Sequence, residues 1–90
     1  MNKKKFLVRL ASNRKNVRYR DFVTLLKAFG FMQRRSEGSH NIYKHERLPI
    51  SVNAQNLNGE AKPYQIEQFL RLIEKYDLKM RGDEEETNNA

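Results

Sequence analysis

Residues 37–45 read Glu-Gly-Ser-His-Asn-Ile-Tyr-Lys-His, and this stretch decides how the middle of the 90-residue chain folds. The Glu37-Gly38 pair is typical of a tight turn, and the alternation that follows it from 39 to 45 predicts a β-strand. The residues from 31 to 36 predict another strand before the turn. We therefore expect a β-hairpin whose second strand begins with Ser39-His40.

A third strand is expected after the short Glu46-Arg47 link, because apolar and other residues alternate from 48 to 52. Pro49 has no amide donor, so this strand either lies at the edge of the sheet or begins after Pro49. The residues from 53 to 62 are mostly polar and lack periodicity, which indicates a loop.

Helices are predicted on both sides of the three strands. Apolar residues with the spacing of an amphipathic helix lie before the strands, at 22, 25, 26 and 29, and after them, at 66, 69, 70 and 73. Gly30 suits the residue that ends the first helix, and Pro63 suits the first turn of the second, where Tyr64 is expected to pack against the domain. Two helices covering one face of a three-stranded meander predict a two-layer α+β domain with one open sheet face.

The two ends of the chain differ from this central domain, which we place at 17–78. Residues 1–16 carry a short apolar pattern that predicts an N-terminal helical extension. Residues 79–90 are polar and rich in acidic groups, which predicts a disordered tail. No apolar run approaches the roughly 20 residues of a membrane span, so we expect a soluble, cytoplasmic protein that does not interact with membranes.

Charge is distributed unevenly along the chain, whose net charge is +7. Residues 1–47 contain 13 Lys or Arg and three acidic groups. A strongly basic half is typical of proteins that bind a polyanion, either a nucleic acid or an acidic protein. The chain has no cysteine for disulfides or thiolate zinc sites, and its two histidines cannot surround a metal ion by themselves. We expect no metal and no cofactor.

His40 stands among cationic residues in a pattern that suits phosphate chemistry. RNA carries its own nucleophile, the 2′-OH, so it can be cleaved by proton transfers and charge stabilisation without a metal. Histidine transfers protons near neutral pH because its ordinary pKa is about 6.5, and cations stabilise charge on phosphate oxygens. The candidates for RNA contacts are Arg34, Arg35, Gly38, Ser39, Asn41, Lys44 and Lys62.

Strand alternation separates the two histidines. His40 and Lys44 share one face of the second strand, whereas His45 lies on the other face and is expected at the surface. The cross-strand partner of His40 is then one of the two arginines at 34 and 35, and the pattern does not decide which. Nor does it decide whether Ile42 or Tyr43 points into the core.

Three stretches, in order along the chain, carry a family signature. Residues 25–31 read Leu-Leu-Lys-Ala-Phe-Gly-Phe, residues 38–45 begin with Gly-Ser-His and continue to Ile-Tyr-Lys-His, and residues 61–66 read Ala-Lys-Pro-Tyr-Gln-Ile. Together they resemble the HicA family of mRNA interferase toxins over about residues 19–78. The sequence departs from the family at Asn41, where many members have a second histidine.

The resemblance implies a double-stranded-RNA-binding-domain-like fold, α-β-β-β-α, to which the N-terminal helix is an addition. It also implies an endoribonuclease that cleaves mRNA with His40 as its catalytic residue, held inactive by a HicB-type antitoxin that covers the active-site face. Two alternatives remain open. One is a non-catalytic RNA-binding module of the same fold, and the other is an interaction subunit whose basic face serves only an acidic partner protein.

Overall fold

A computed structural model describes residues 2–81 of the chain. Within that range the elements follow one another as α1 (Lys3–Ser12), α2 (Tyr19–Ala28), β1 (Phe31–Glu37), β2 (His40–His45), β3 (Ser51–Leu57), β4 (Glu60–Ala61) and α3 (Pro63–Tyr76). No helix within it is long and apolar enough to cross a membrane.

The N-terminal helix α1 packs onto the rest of the domain. It begins after Asn2, whose side chain accepts a hydrogen bond of 3.0 Å from the Lys5 amide and so caps the first turn. Its apolar residues Phe6 and Leu10 are both buried, and Leu10 has no exposed surface. The helical extension predicted from the sequence therefore contributes side chains to the core.

Helix α2 ends where the sequence predicted. Gly30 follows the capping residue Phe29 and has a φ of 92°, in the left-handed region that glycine tolerates. A Cβ atom at Gly30 would lie 3.3 Å from side-chain atoms of His45 and Glu46. Glycine at position 30 therefore allows the helix to end there and allows His45 and Glu46 to pack closely against the backbone.

The four strands form one antiparallel sheet in the order β1-β2-β3-β4. The turn between β1 and β2 is Gly38-Ser39, one residue later than predicted, and Gly38 has a φ of 62°. A glycine in the left-handed region at the first position of a two-residue loop is what a type II′ hairpin requires. The register of β1 also shifts between Gln33 and Arg35, which leaves Arg34 in a β-bulge.

The prediction of a loop at 53–62 is wrong. Strand β3 begins after Pro49, as the sequence allowed, but it continues to Leu57 and turns back through Asn58-Gly59 into β4. Both turn residues have positive φ, 53° and 89°, which suits the right-handed twist of a hairpin. The buried positions of this strand are occupied by Val52 and the small Ala54, so its apolar alternation is weak.

Phe69 of α3 holds the two layers together. Its ring makes edge-to-face contacts with Phe22, Phe29 and Phe31, at centroid distances of 5.5 to 5.9 Å. Helices α2 and α3 cover one face of the sheet, and Tyr43 rather than Ile42 points into this core. The predicted two-layer α+β fold is confirmed, with a fourth short strand added to the expected three.

The chain after α3 remains in contact with the domain as far as it is described. Asp77 adopts the left-handed conformation that ends the helix, and Leu78 and Met80 are buried. Arg81 forms an ion pair with Glu46 at the end of β2. The burial of Met80 was not anticipated for the predicted tail 79–90, most of which lies outside the described residues, and the division into 1–16, 17–78 and 79–90 stays a prediction.

Candidate active site

His40 is the first residue of β2, and it lies immediately after the Gly38-Ser39 turn. All three residues are exposed. A Cβ atom at Gly38 would meet no protein atom within 4 Å, so the fold requires glycine there for its backbone conformation. The short turn fixes the position of the His40 backbone and leaves the imidazole accessible to a ligand.

The residue directly opposite His40 on β1 is Glu37, and the one opposite on β3 is Gln55. Directly paired residues of antiparallel strands project from the same face of the sheet. The expectation that an arginine at 34 or 35 would face His40 is therefore wrong. The turn lies one residue later than expected and the bulge shifts the register again, so Arg35 is paired with Ile42 instead.

The open face of the sheet is organised in three rows of paired residues. From the hairpin end inward the rows are Glu37–His40–Gln55, Arg35–Ile42–Asn53 and Met32–Lys44–Ser51. Arg35 is thus a diagonal neighbour of His40, while Lys44 is two rows away, roughly 13 Å along the strand. Both cations lie on the face that carries His40.

Asn41 lies on the opposite face of β2, toward the helices. Its Nδ2 donates a hydrogen bond of 2.7 Å to the Tyr19 hydroxyl, and its Oδ1 accepts one of 3.0 Å from Gln33. Burial, with a hydrogen bond to Tyr43, raises the pKa of Tyr19 above the ordinary range of tyrosine. This polar network ties the beginning of β2 to the first turn of α2.

Gln55 connects the site to the core. Its Nε2 lies 3.4 Å from the Ser39 hydroxyl in the hairpin turn, and its backbone amide donates a bond of 2.7 Å to Oε1 of Gln65. Gln65 is fully buried in α3. The strand residue that faces His40 is therefore held by the last helix.

His45 has a structural position, and the expectation that it would lie at the surface is wrong. Its half-buried ring meets Phe31 edge to face, with 5.2 Å between centroids. Its Nδ1 accepts hydrogen bonds of 3.1 Å from the backbone amides of Arg47 and Leu48. His45 is thus used to form the turn after β2, on the face of the sheet away from His40.

Lys62 occupies the N-cap position of α3, two residues before Tyr64, without a side-chain capping hydrogen bond. The Lys62 ammonium lies 5.7 Å from the centroid of the Tyr64 ring, and Tyr64 is 51% exposed, contrary to the expectation that it would pack. Gln65, the residue after Tyr64, accepts a hydrogen bond from the backbone amide of Gln55, which is opposite His40 on β3. This hydrogen bond connects the start of α3 to β3. The pair consists of a half-buried lysine and an exposed aromatic ring at the start of the helix.

The structure thus brings Gly38, Ser39 and His40 together in one turn and places Arg35 beside it. Glu37 and Gln55 were missed, because their role depends on strand register rather than on residue type. Among residues 2–81 no group of three or more His, Asp or Glu side chains could hold a metal ion. The arrangement offers proton transfer at an exposed imidazole and cations for phosphate oxygens.

Comparison with protein families identifies a match over most of the described domain. Residues 19–74, which extend from the start of α2 into the last turns of α3, match the family described as HicA toxin of bacterial toxin-antitoxin. The match includes the hairpin with Gly38, Ser39 and His40. No match to the chain was found among curated proteins or among solved structures.

Proposed function

Because the chain belongs to the HicA toxin family, we propose that it is an endoribonuclease that cleaves mRNA by acid/base chemistry centred on His40. The observation that carries this proposal is the exposed imidazole on a tight turn at the edge of an open sheet face that also carries Arg35 and Lys44. A histidine there can reach the backbone of an RNA strand laid across the sheet, without displacing any part of the core.

The reaction uses the nucleophile of the substrate itself. The 2′-oxygen attacks the adjacent phosphorus, the bond to the 5′-oxygen breaks, and the products are a 2′,3′-cyclic phosphate and a free 5′-OH. A proton leaves the 2′-OH and another reaches the 5′-oxygen, and imidazole is suited to such transfers near neutral pH. Positive side chains lower the energy of the charge that develops on the phosphoryl oxygens.

The phosphate contacts are assigned by position on the open face. Arg35 is close enough to His40 to stabilise the reacting phosphate, whereas Lys44, two rows away, holds a neighbouring phosphate of the same strand. Arg34 and Lys62 are included as further phosphate contacts on the basis of the sequence, with Tyr64 as a stacking surface for a base. Asn41 contributes by holding β2 to Tyr19.

The turn residues bring the RNA to the imidazole. Gly38 carries no side chain, so a sugar–phosphate backbone can approach the peptide closely there. Ser39 offers its hydroxyl to a phosphate oxygen, and the side-chain amide of Gln55 orients that hydroxyl by donating a hydrogen bond to it. Residues 38 to 40 therefore act as a unit at the reacting phosphate.

The proposal includes an antitoxin of the HicB type as the partner, and a cytoplasmic location. A basic, open sheet face suits an acidic partner, because complementary charge accelerates association and suppresses wrong partners. A bound antitoxin would cover the same face that holds RNA, which would keep the toxin inactive.

One experiment tests the catalytic assignment. Purified protein is incubated with single-stranded RNA in EDTA, beside the variants His40→Ala and Arg71→Ala, the second of which alters an exposed cation on α3. We expect cleavage by the wild type and by Arg71→Ala, and none by His40→Ala. Cleavage that survives in His40→Ala would rule out His40 as the catalytic group. Salt-dependent binding without cleavage by the wild type would favour the non-catalytic RNA-binding module instead.

A further inference from the structure

The carboxylate of Glu37 faces His40 across the hairpin. The two residues are directly paired on β1 and β2, and they flank the two-residue Gly38-Ser39 turn. Both are exposed. Directly opposite residues have Cβ atoms about 4.5–5.5 Å apart, so an acid and a base stand side by side at the edge of the open face.

We propose that Glu37 is the second acid/base group of the cleavage reaction, an inference that rests on the proposed function. The Glu37 carboxylate accepts the proton of the 2′-OH as the 2′-oxygen attacks phosphorus. The His40 imidazolium donates its proton to the 5′-oxygen as the P–O5′ bond breaks. The enzyme gains one proton and loses one, and exchange with solvent restores the starting forms.

The geometry suits the division of labour between two side chains. Attack and departure occur on opposite sides of the phosphorus, so one imidazole cannot reach both oxygens at once. Glu37 and His40 project from the same face on adjacent strands, and both side chains are exposed to solvent. Arg35 has the side chain nearest to Glu37 on the same face of β1, where it can stabilise charge on that phosphate.

Neither side chain is engaged by another residue within 2–81. In the part of the chain that the structure describes, the carboxylate of Glu37 and the imidazole of His40 make no hydrogen bond or ion pair. The charged groups that share their face are Arg35 on β1 and Lys44 on β2, while the facing residue on β3 is the neutral Gln55. Both cations therefore lie on the face where the proposal places the phosphate.

A purely structural role does not explain a carboxylate at this position. Glu37 is one of three acidic residues in the first 47, and a negative charge beside the reacting phosphate weakens the binding of RNA. An exposed turn end has no need of that charge for folding. A general base does need it, since the carboxylate has to accept a proton in the transition state.

The test is the variant Glu37→Gln, with Glu60→Gln as its matched control at the other hairpin. Glu60 is also exposed, and it is paired with Leu57 next to the Asn58-Gly59 turn. We expect Glu37→Gln to lower kcat by about 10²- to 10⁴-fold, with RNA affinity unchanged or tighter. The rise of the wild-type rate as a carboxyl group ionises should disappear from its pH profile. Glu60→Gln should match the wild type in all three measurements.

Glu37→Asp tests the same group with its charge retained. We expect it to keep the acidic rise in the pH profile and to recover part of the lost kcat. A Glu37→Gln enzyme with the kcat and pH profile of the wild type would overturn the assignment, and so would a slow enzyme whose acidic rise is intact. In either case His40→Ala must still abolish cleavage if the proposed function is right. A wild-type protein that does not cleave RNA overturns both proposals.

Discussion

Gln65, which is fully buried in α3, accepts a hydrogen bond of 2.7 Å through its Oε1 from the backbone amide of Gln55 in β3. Strand β4 pairs only at Asn56↔Ala61 and Leu57↔Glu60, so it ends before it could serve Gln55. A backbone amide that is partly shielded from water needs an acceptor, and the side chain of Gln65 supplies it where no strand residue does. A polar residue inside the core is thereby explained.

Replacement of this glutamine by leucine should destabilise the protein. Gln65→Leu leaves the Gln55 amide without its acceptor, and we expect the free energy of unfolding to fall by about 1–3 kcal/mol. Urea denaturation measures it. Gln68→Leu, at an exposed position of the same helix, is the control and should change stability by about 0.5 kcal/mol or less. Equal stability of the two variants would contradict the role given to Gln65.

Arg35 and Lys44 should contribute to RNA binding through charge alone. Each of Arg35→Gln and Lys44→Gln removes one cation from the open face, so the logarithm of affinity should depend less steeply on the logarithm of salt concentration. We expect the slope to shrink by about 0.7 to 1 for each variant. Arg71→Gln, on α3 in an ion pair with Glu67, should leave it unchanged. Filter binding at several salt concentrations gives the slopes, and an unaltered slope for Arg35→Gln would place RNA elsewhere.

The hairpin illustrates what the local pattern could and could not predict. Residue types around Gly38 suffice to place a turn, a strand and an exposed histidine. They do not specify whether the loop is Glu37-Gly38 or Gly38-Ser39, and a slip of one residue changes which side chain faces His40. The bulge at Arg34 shifts the register a second time, and the residue types around it do not predict this shift. Register is decided by the hydrogen bonds of the whole sheet, so the carboxylate opposite His40 could not be found.

The missed hairpin from β3 to β4 had a signal. Asn-Gly is among the strongest indications of a two-residue turn, and here Asn58-Gly59 connects the two strands. Apolar alternation failed because the core side of β3 carries Ala54, while its open face carries polar residues at 53 and 55. The fold class was still predicted correctly, because a short edge strand leaves the order of helices and sheet unchanged.

Tyr64 should bind RNA through its ring. It is 51% exposed beside the Lys62 ammonium, and base–aromatic stacking contributes about 1–3 kcal/mol per base. Tyr64→Ala is therefore expected to weaken the binding of single-stranded RNA by about that amount. Tyr76→Ala is the matched control, since Tyr76 has a similar contact with Lys75, 5.5 Å from its ring centroid, at the other end of α3. Equal losses for both variants, at equal thermal stability, would contradict a specific stacking site.

Tyr19 should make the protein sensitive to alkali. Burial and the hydrogen bond with Tyr43 raise the pKa of Tyr19 in the folded state. In the unfolded chain a tyrosine ionises near pH 10, so the stability that the neutral hydroxyl provides is complete below that pH and is lost as pH rises above it. Tyr19→Phe removes the titrating group. Above pH 10 the free energy of unfolding of the variant should therefore fall less steeply with pH, by at most about 1.4 kcal/mol per pH unit. Denaturation at several pH values gives the slopes, and identical slopes for both proteins would contradict this origin.

The two histidines should respond in opposite ways to one substitution. His45→Phe removes the Nδ1 acceptor of the Arg47 and Leu48 amides, and we expect the free energy of unfolding to fall by about 1–3 kcal/mol while RNA cleavage persists. His40→Phe changes an exposed side chain without a hydrogen bond to the described residues, so stability should change by about 0.5 kcal/mol or less while cleavage is lost. Denaturation and cleavage assays on both variants separate the roles. Loss of cleavage in a folded His45→Phe protein would mean that the second histidine also takes part in the reaction, through a rearrangement of β2 on binding RNA.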